Sequence, residues 1–360
     1  MTQVLPNELV ELILHWLPPL QRFQLATGFR FLVVQRQTVP LLEHATADAA
    51  SRKGQVDLFN YLKHNSLPLG FPTMAIDEAS RFGHVAVLQW WADLGDPLIY
   101  SKDAMNWASR NGHVAVLSWW LNNRNQYKLI YTEDAMDWAA KYNHSNTIKW
   151  WVLQSNLHLL YTSKCLGWIS RNGNIELLTW WLEQPHTRHT ISSYAVDFAP
   201  NAETLNFWKL KYHAKLPYSS KAVQVASRNG KVEVLEWWKD SGFEVKCTVN
   251  AIDGASEIGF VQVLEWWKQS GFALEYSTSS MNWASQNGHL HVLDWWIDSG
   301  LELKFSMQAL ILASINEHLA VLEWWKKRSW LFKSCFEPIK SFELEPKVVK
   351  WWSENLSYFT

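Results

Sequence analysis

Apolar and polar positions recur along this chain as a unit, and the clearest copy runs from Ser101 to Trp120. Ala104 and Ala108 lie one helical turn apart, Asn111-Gly112-His113 follows, and Val116, Leu117, Trp120 and Leu121 then share one arc of a second helix. The first set predicts a short helix with a small apolar face, and the second a helix with a broad one. Ser101 stands at the N-terminal cap of the first helix with Asp103 in its first turn, and Thr132, Glu133 and Asp134 repeat the arrangement. Gly112 can take the left-handed conformation that closes a helix, and Gly54, Gly83, Gly173, Gly230, Gly259 and Gly288 occupy the same slot. A tight helix-turn-helix results.

The aromatic pair that closes each copy marks its phase: Trp90-Trp91, Trp119-Trp120, Trp150-Trp151, Trp180-Trp181, Phe207-Trp208, Trp237-Trp238, Trp266-Trp267, Trp295-Trp296, Trp324-Trp325 and Trp351-Trp352, with Tyr61-Leu62 opening the series. Successive spacings are 29, 29, 31, 30, 27, 30, 29, 29, 29 and 27 residues. A fixed period of that size predicts a stacked array in place of a closed globular domain. Between copies runs an extended piece of alternating character, as in Phe243, Val245 and Cys247, then Phe272, Leu274 and Tyr276.

The order of Ala-rich helix, Asn-Gly-His turn, Val-Leu helix and Ser-Gly exit resembles the ankyrin repeat over roughly residues 45 to 352. The resemblance implies an all-α helix-turn-helix solenoid that binds partners. This unit is about four residues shorter than a 33-residue ankyrin repeat, lacks the Thr-Pro-Leu-His opening and ends in Trp-Trp, so short loops are expected in place of β-hairpin fingers. Two copies break the pattern. Ala199-Pro200-Asn201-Ala202 replaces one turn and Pro200 must end its helix, which places a break near residue 200, and the copy from Phe336 to Trp352 reads as a degenerate cap.

The N-terminal stretch differs. Leu9, Ile13 and Leu17 form one helical stripe behind Leu5-Pro6, and this opening resembles an F-box. The resemblance implies that Leu5, Pro6, Leu9, Ile13 and Leu17 contact the F-box-binding adaptor of a cullin-type ubiquitin ligase. Read without it, the same stripe is a hydrophobic cap on the first repeat. The organisation expected is residues 1–42 as F-box-like segment or cap, 43–352 as repeat solenoid, and 353–360 as tail.

Composition narrows the chemistry. A formal net charge of −1 gives no bulk attraction to phosphate or anionic lipid, so neither nucleic acid nor membrane is an expected partner. Cys165, Cys247 and Cys335 have neither disulfide-framework nor zinc spacing, which fits a reducing compartment. The apolar start carries Glu8 and Glu11 and lacks a basic leader, against a signal peptide. The expected location is the cytoplasm or the nucleus.

Of the 25 tryptophans, eighteen form the nine Trp-Trp pairs, and they face first helices that offer mainly Ala; large against small predicts core. His84, His113, His144, His289 and His318 follow the turn and read as turn-stabilising, while His186 and His189 stand alone in a loop, so no metal is expected. Glu236, Glu265, Asp294 and Glu323 on the second helix read as a solvated face. On the first helix Asp77 with Arg81, Asn106 with Arg110, and Asp137 with Lys141 are i, i+4 neighbours, and Arg171 and Arg228 continue the basic column. These eight residues are the target-binding candidates, because ankyrin-type arrays use the exposed side of this helix.

No phosphate loop, nucleophile elbow, H-E-x-x-H or paired-cysteine motif occurs, so neither catalysis nor a cofactor is expected. The function expected is protein binding, as substrate receptor of a cullin-type ubiquitin ligase with the solenoid holding the target. The alternative is a plain ankyrin-like scaffold. The chain is expected to be monomeric outside any complex.

Overall fold

A computed structural model describes residues 50–64, 72–187, 191–332 and 345–359. Leu5, Pro6, Leu9, Ile13 and Leu17 lie outside the described residues, as do His189 and Cys335. Among the described residues all regular structure is helical, in pairs joined by tight turns, so the helix-turn-helix repeat expected from the sequence is the architecture of the chain. Contacts divide it into two compact units, Met1–Cys165 and Leu166–Thr360.

In the first unit, helical residues 50–53 precede α1 (Val56–His64), and the pairs α2 (Pro72–Arg81) with α3 (Val85–Asp93), α4 (Asp103–Arg110) with α5 (Val114–Asn122), and α6 (Asp134–Lys141) with α7 (Ser145–Leu153) follow. Helix α8 (Ser163–Arg171) crosses the boundary. The second unit continues with α9 (Ile175–Glu183), α10 (Ser193–Asp197) with α11 (Ala202–Tyr212), α12 (Lys221–Arg228) with α13 (Val232–Asp240), and α14 (Val249–Ile258) with α15 (Val261–Gln269). Then come α16 (Ser279–Gln286) with α17 (Leu290–Asp298), α18 (Gln308–Ile315) with α19 (Leu319–Lys326), and α20 (Pro346–Asn355).

Helices of eight to eleven residues are marginal alone, so their stability has to come from stacking. First helices stack on first helices, α2 on α4 on α6 in one unit and α12 on α14 on α16 on α18 in the other. Their contact face is small: Ala104, Ala108, Ala135, Ala139, Ala251 and Ala255 are buried, and Ala against Ala lets backbones approach closely. Against this layer the second Trp of each pair inserts. Trp120, Trp151, Trp208, Trp238, Trp267, Trp296 and Trp325 are all fully buried.

A buried indole carries an N–H that must find an acceptor. Trp120 Nε1 donates to Ser80 Oγ at 3.3 Å and Trp151 to Ser109 at 3.0 Å. In the second unit Trp208 donates to Ser170 at 2.7 Å, Trp267 to Ser227 at 2.9 Å, Trp296 to Ser256 at 3.2 Å, Trp325 to Ser285 at 2.9 Å and Trp352 to Ser314 at 2.8 Å. Each bond reaches back to the first helix of the preceding pair. The first Trp of each pair reaches a parallel row: Trp90 donates to Asn60, Trp119 to Gln89 and Trp150 to Ser118 in one unit. In the other, Trp266 donates to Glu236 at 2.7 Å, Trp295 to Glu265 at 2.9 Å, Trp324 to Asp294 at 2.6 Å and Trp351 to Glu323 at 2.5 Å. The four acids read from sequence as an ordinary solvated face are therefore acceptors in the stack, and the Trp295 bond holds the Glu265 carboxyl below its usual value.

The irregular copy follows from Pro200. Helix α10 is cut to five residues, and the slot that holds Ser in most other copies and Ala140 in one, three residues after Asp197, falls on the proline. Trp238, buried in the next pair, has no partner for its N–H, and neither has Trp91, although Ser51 fills its slot. Asn201 restarts the chain by accepting from Thr204 N at 3.0 Å as the cap of α11.

The Trp–Ser bond gives a direct stability test. Ser285→Ala strands the buried Trp325 N–H, and denaturant titration should register a loss of about 1–3 kcal/mol. A change under about 0.3 kcal/mol would mean that the packing of the ring, and not its N–H, carries the interaction.

Candidate functional site

The first helices place the sequence-derived candidates in two different environments. Asp77, Asn106 and Asp137 are buried, at 7%, 0% and 5% exposure, so they are not on the exposed side expected of them. Each reaches the cap of the next first helix. Asp77 accepts from Ser101 N at 3.1 Å and from Ser101 Oγ at 2.6 Å, and Asp137 does the same with Thr162 at 3.0 and 2.5 Å. Asn106 accepts from Thr132 N at 3.1 Å and donates to Thr132 Oγ1 at 2.8 Å. The capping oxygen then accepts from Asp103 N at 3.0 Å in one copy and from Asp134 N at 3.3 Å in the next. Asp197, Asp253 and Asn282 repeat this bracket in the second unit. Burial pushes the Asp77 and Asp137 carboxyls above the usual range, against the lowering by their bonds to Ser101 and Thr162.

The cations stay outside. Arg81 Nη1 pairs with Glu78 Oε1 at 3.3 Å, and its guanidinium lies over Trp107 at 5.0 Å and over Phe82 at 5.3 Å. Arg52 Nε meets the other Glu78 oxygen at 3.0 Å, so one buried carboxylate of 6% side-chain exposure orients two arginines that remain 49% and 41% exposed. Arg110 donates to Tyr142 OH at 2.9 Å and lies 4.9 Å from that ring and 5.7 Å from Trp138. Lys141 stands 5.6 Å from the Tyr142 ring. Arg52, Arg81 and Arg110 are thus each held by a group on the pair that follows. In the second unit Arg171 lies over Trp168 at 5.0 Å and Phe198 at 5.2 Å and donates to Tyr194 OH at 3.2 Å, while Arg228 pairs with Glu257 at 2.7 Å.

Sequence reasoning missed Glu78, Phe82, Trp107, Trp138 and Tyr142 as parts of this strip. A signal for the rings exists: Trp107, Trp138, Trp168 and Trp283 fall outside the Trp-Trp pairs and share one first-helix slot.

The histidines work between repeats. A Cβ on Gly83 would come within 2.8 Å of the His113 ring, and one on Gly112 within 2.6 Å of His144, so each ring packs where the preceding turn has no side chain. His84 Nε2 lies 2.9 Å from Arg52 O. Among the described residues no group of three or more His, Cys, Asp or Glu could hold a metal, and no helix is long and apolar enough to cross a membrane.

No family model matches the chain. A curated relative, "Uncharacterized protein L696" of Acanthamoeba polyphaga mimivirus, is 40% identical over 53 residues, 15% of this chain and 17% of that one. Among solved structures, the pentatricopeptide repeat protein PPR10 in complex with an 18-nt psaJ RNA element has a TM-score of 0.41 at 14% identity, covering 92% of this chain and 59% of the other. PPR10 from maize has a TM-score of 0.35 at 13% identity, covering 89% and 53%. The chain thus spans a sixth of the curated relative and a little over half of these structures. The solved structures are pentatricopeptide repeat proteins, not ankyrin or F-box proteins. The expectation that nucleic acid is excluded as a partner is corrected, since exposed arginines are held beside rings along the first helices; the solved neighbours include RNA complexes. It rested on net charge, which averages over the whole chain and is blind to a strip that gathers cations and rings along one edge.

Burial holds His113 and His289 below the ordinary imidazole value of 6.5. A folded value below the unfolded one means that the unfolded chain binds more protons, so their contribution is fully present above about pH 6.5 and is lost as pH falls below it. Thermal denaturation should give a lower Tm at pH 5.5 than at 7.5, and His113→Gln should narrow the difference. An unchanged difference would show that protonation of His113 is not linked to folding.

Proposed function

We propose that this helical-repeat chain is a binding scaffold and that Arg52, Arg81, Arg110 and Lys141, with Phe82, Trp107, Trp138 and Tyr142, form its recognition strip in the first unit. The observation that carries the reading is the repeated immobilisation of exposed arginines by the neighbouring pair. Surface ion pairs contribute only about 0–1 kcal/mol, and ordering a long side chain has an entropic cost, so stability is a poor reason for repeating the device. Preorganised cations do lower the ordering cost of binding. Arg171 and Arg228 carry the same arrangement in the second unit, and Asp77, Asn106 and Asp137 act beneath the strip by fixing the spacing of the helices that present it. The proposal assigns no catalysis to the chain.

A cullin-ligase receptor is the narrower reading, and it rests on the F-box-like spacing of Leu5, Pro6, Leu9, Ile13 and Leu17 alone. Leu9→Asp separates it from a cap. Loss of a co-purifying adaptor at unchanged Tm supports the receptor, whereas a lowered Tm with no adaptor bound by the wild type supports the cap.

The strip itself is tested with Arg110→Gln combined with Lys141→Gln. Comparison of everything retained from source-cell extract, protein and nucleic acid alike, should show a partner bound by the wild type and depleted at least tenfold on the variant, with Tm within a few degrees. Equal retention by both would place recognition elsewhere.

A further inference from the structure

We infer that the strip in the first unit binds single-stranded nucleic acid, an inference that rests on the recognition face proposed above. Three observations converge on this chemistry. The first is local charge: Arg52 and Arg81 share one buried carboxylate, Glu78, and Arg110 and Lys141 continue the cationic row beyond it. Of the other acids on these helices, Asp77 and Asp137 are buried and taken up by Ser101 and Thr162, while Asp103 and Asp134 are seven residues from Arg110 and Lys141, or about 10 Å along the helix axis. A polyanion laid along the turn edge meets the cations and stays clear of the acids.

The second is the interleaving of flat groups with charge. Phe82 and Tyr142 are exposed, at 41% and 42%, at the turn next to Arg81 and Lys141. The guanidiniums of Arg81 and Arg110 are themselves spread over Trp107 and Tyr142. Nucleobases released from a duplex stack on rings and on guanidinium planes, while phosphates take the cationic edges. An acidic peptide would engage the cations and leave the rings idle, and a duplex keeps its base faces inside.

The third is periodicity. The cation recurs once per repeat as Arg52, Arg81, Arg110 and Lys141, at spacings of 29, 29 and 31 residues, so a linear ligand meets an equivalent contact at each step. Nothing in the strip offers a fixed pattern of donors and acceptors to a base edge, so affinity should depend on strand character and salt more than on sequence.

The test uses the full chain with fluorescein-labelled 20-nucleotide single-stranded RNA and DNA of mixed sequence, the matching duplex, and a Glu-rich peptide, read by anisotropy across a salt series. The inference expects binding of a single strand at least tenfold tighter than of the duplex. For the single strand the logarithm of affinity should fall linearly with the logarithm of salt. Arg81→Gln with Arg110→Gln and Lys141→Gln should flatten that slope, by about 0.7 for each phosphate that is no longer neutralised, and Arg52 remains in the variant as partner to Glu78. Phe82→Ala, which removes a ring and no charge, should weaken single-strand binding about fivefold or more at an unchanged slope.

Duplex binding as tight as single-strand binding, or a Phe82→Ala protein that binds normally, would overturn the inference. If the Glu-rich peptide binds and the single strands do not, and the Gln variant loses the peptide, the ligand class is wrong while the recognition strip stands. If no probe binds and partner retention from extract is also indifferent to the strip, the reading of the strip fails as well.

Discussion

The stack depends on one contact: a whole indole set against a helix that offers little more than alanine, with its N–H returned in most copies to a serine on that same helix. The ring fills the space that small side chains leave, and the serine removes the penalty for burying a donor. Ser285 illustrates how economical the arrangement is, since its hydroxyl donates to Met281 O at 2.8 Å in its own helix and still accepts from Trp325. Tyr100, Tyr131, Tyr218 and Tyr276 extend the contact. Each lies 4.5–4.9 Å from the buried Trp of its own repeat and donates through its OH to a backbone carbonyl in the following connecting segment. A repeat therefore has no complete core of its own; its largest side chain is finished by its neighbour.

The polar residues obey the same rule. The Asp or Asn bracket, the acceptor for the first Trp, the histidine over the preceding glycine and at least one orienting partner of each arginine lie about one repeat away in sequence. Helices this short gain little from pairs within themselves, so their polar side chains do more when they fix the register between pairs. The copy broken by Pro200 shows which connections are independent. It loses the acceptor for Trp238, yet the bracket from Asp197 to Ser219 remains, at 2.7 and 2.6 Å.

That rule also decides what could be read from the sequence. Period, helix starts, turn glycines and the pairing of Ala with Trp were all legible, because each is a local spacing or follows from comparing equivalent slots. Asp77 with Arg81 was misread because i, i+4 arithmetic finds neighbours on a helix surface, whereas the partner of Asp77 is Ser101, 24 residues on. The acceptor role of Glu265 was hidden for the same reason, its partner Trp295 being 30 residues away. The strip was half legible. Its cations stood out as a column, but the rings that hold them were hidden among tryptophans assigned wholesale to the core, and only the slot shared by Trp107 and Trp138 tells them apart.

With the packing rule common to both units, the differences between them carry the functional information. The acceptors for the first Trp of each pair are neutral in one unit, Asn60, Gln89 and Ser118, and mainly acidic in the other, Glu236, Glu265, Asp294 and Glu323. A carboxylate accepts the N–H more strongly than an amide or hydroxyl, but all of these acceptors close the bond, so geometry does not dictate the choice. The first-helix column changes along the chain as well, from Arg52, Arg81, Arg110 and Lys141 in the first unit through Arg171 and Arg228 to Glu257, Gln286 and Ile315 in the second. Beyond Arg228 the acceptor slot turns acidic and the column loses its cations, with Glu257 paired to Arg228. A constraint that acts on charge and leaves packing untouched acts at the surface, and under the reading proposed above it would confine an anionic partner to the face where the arginines are held.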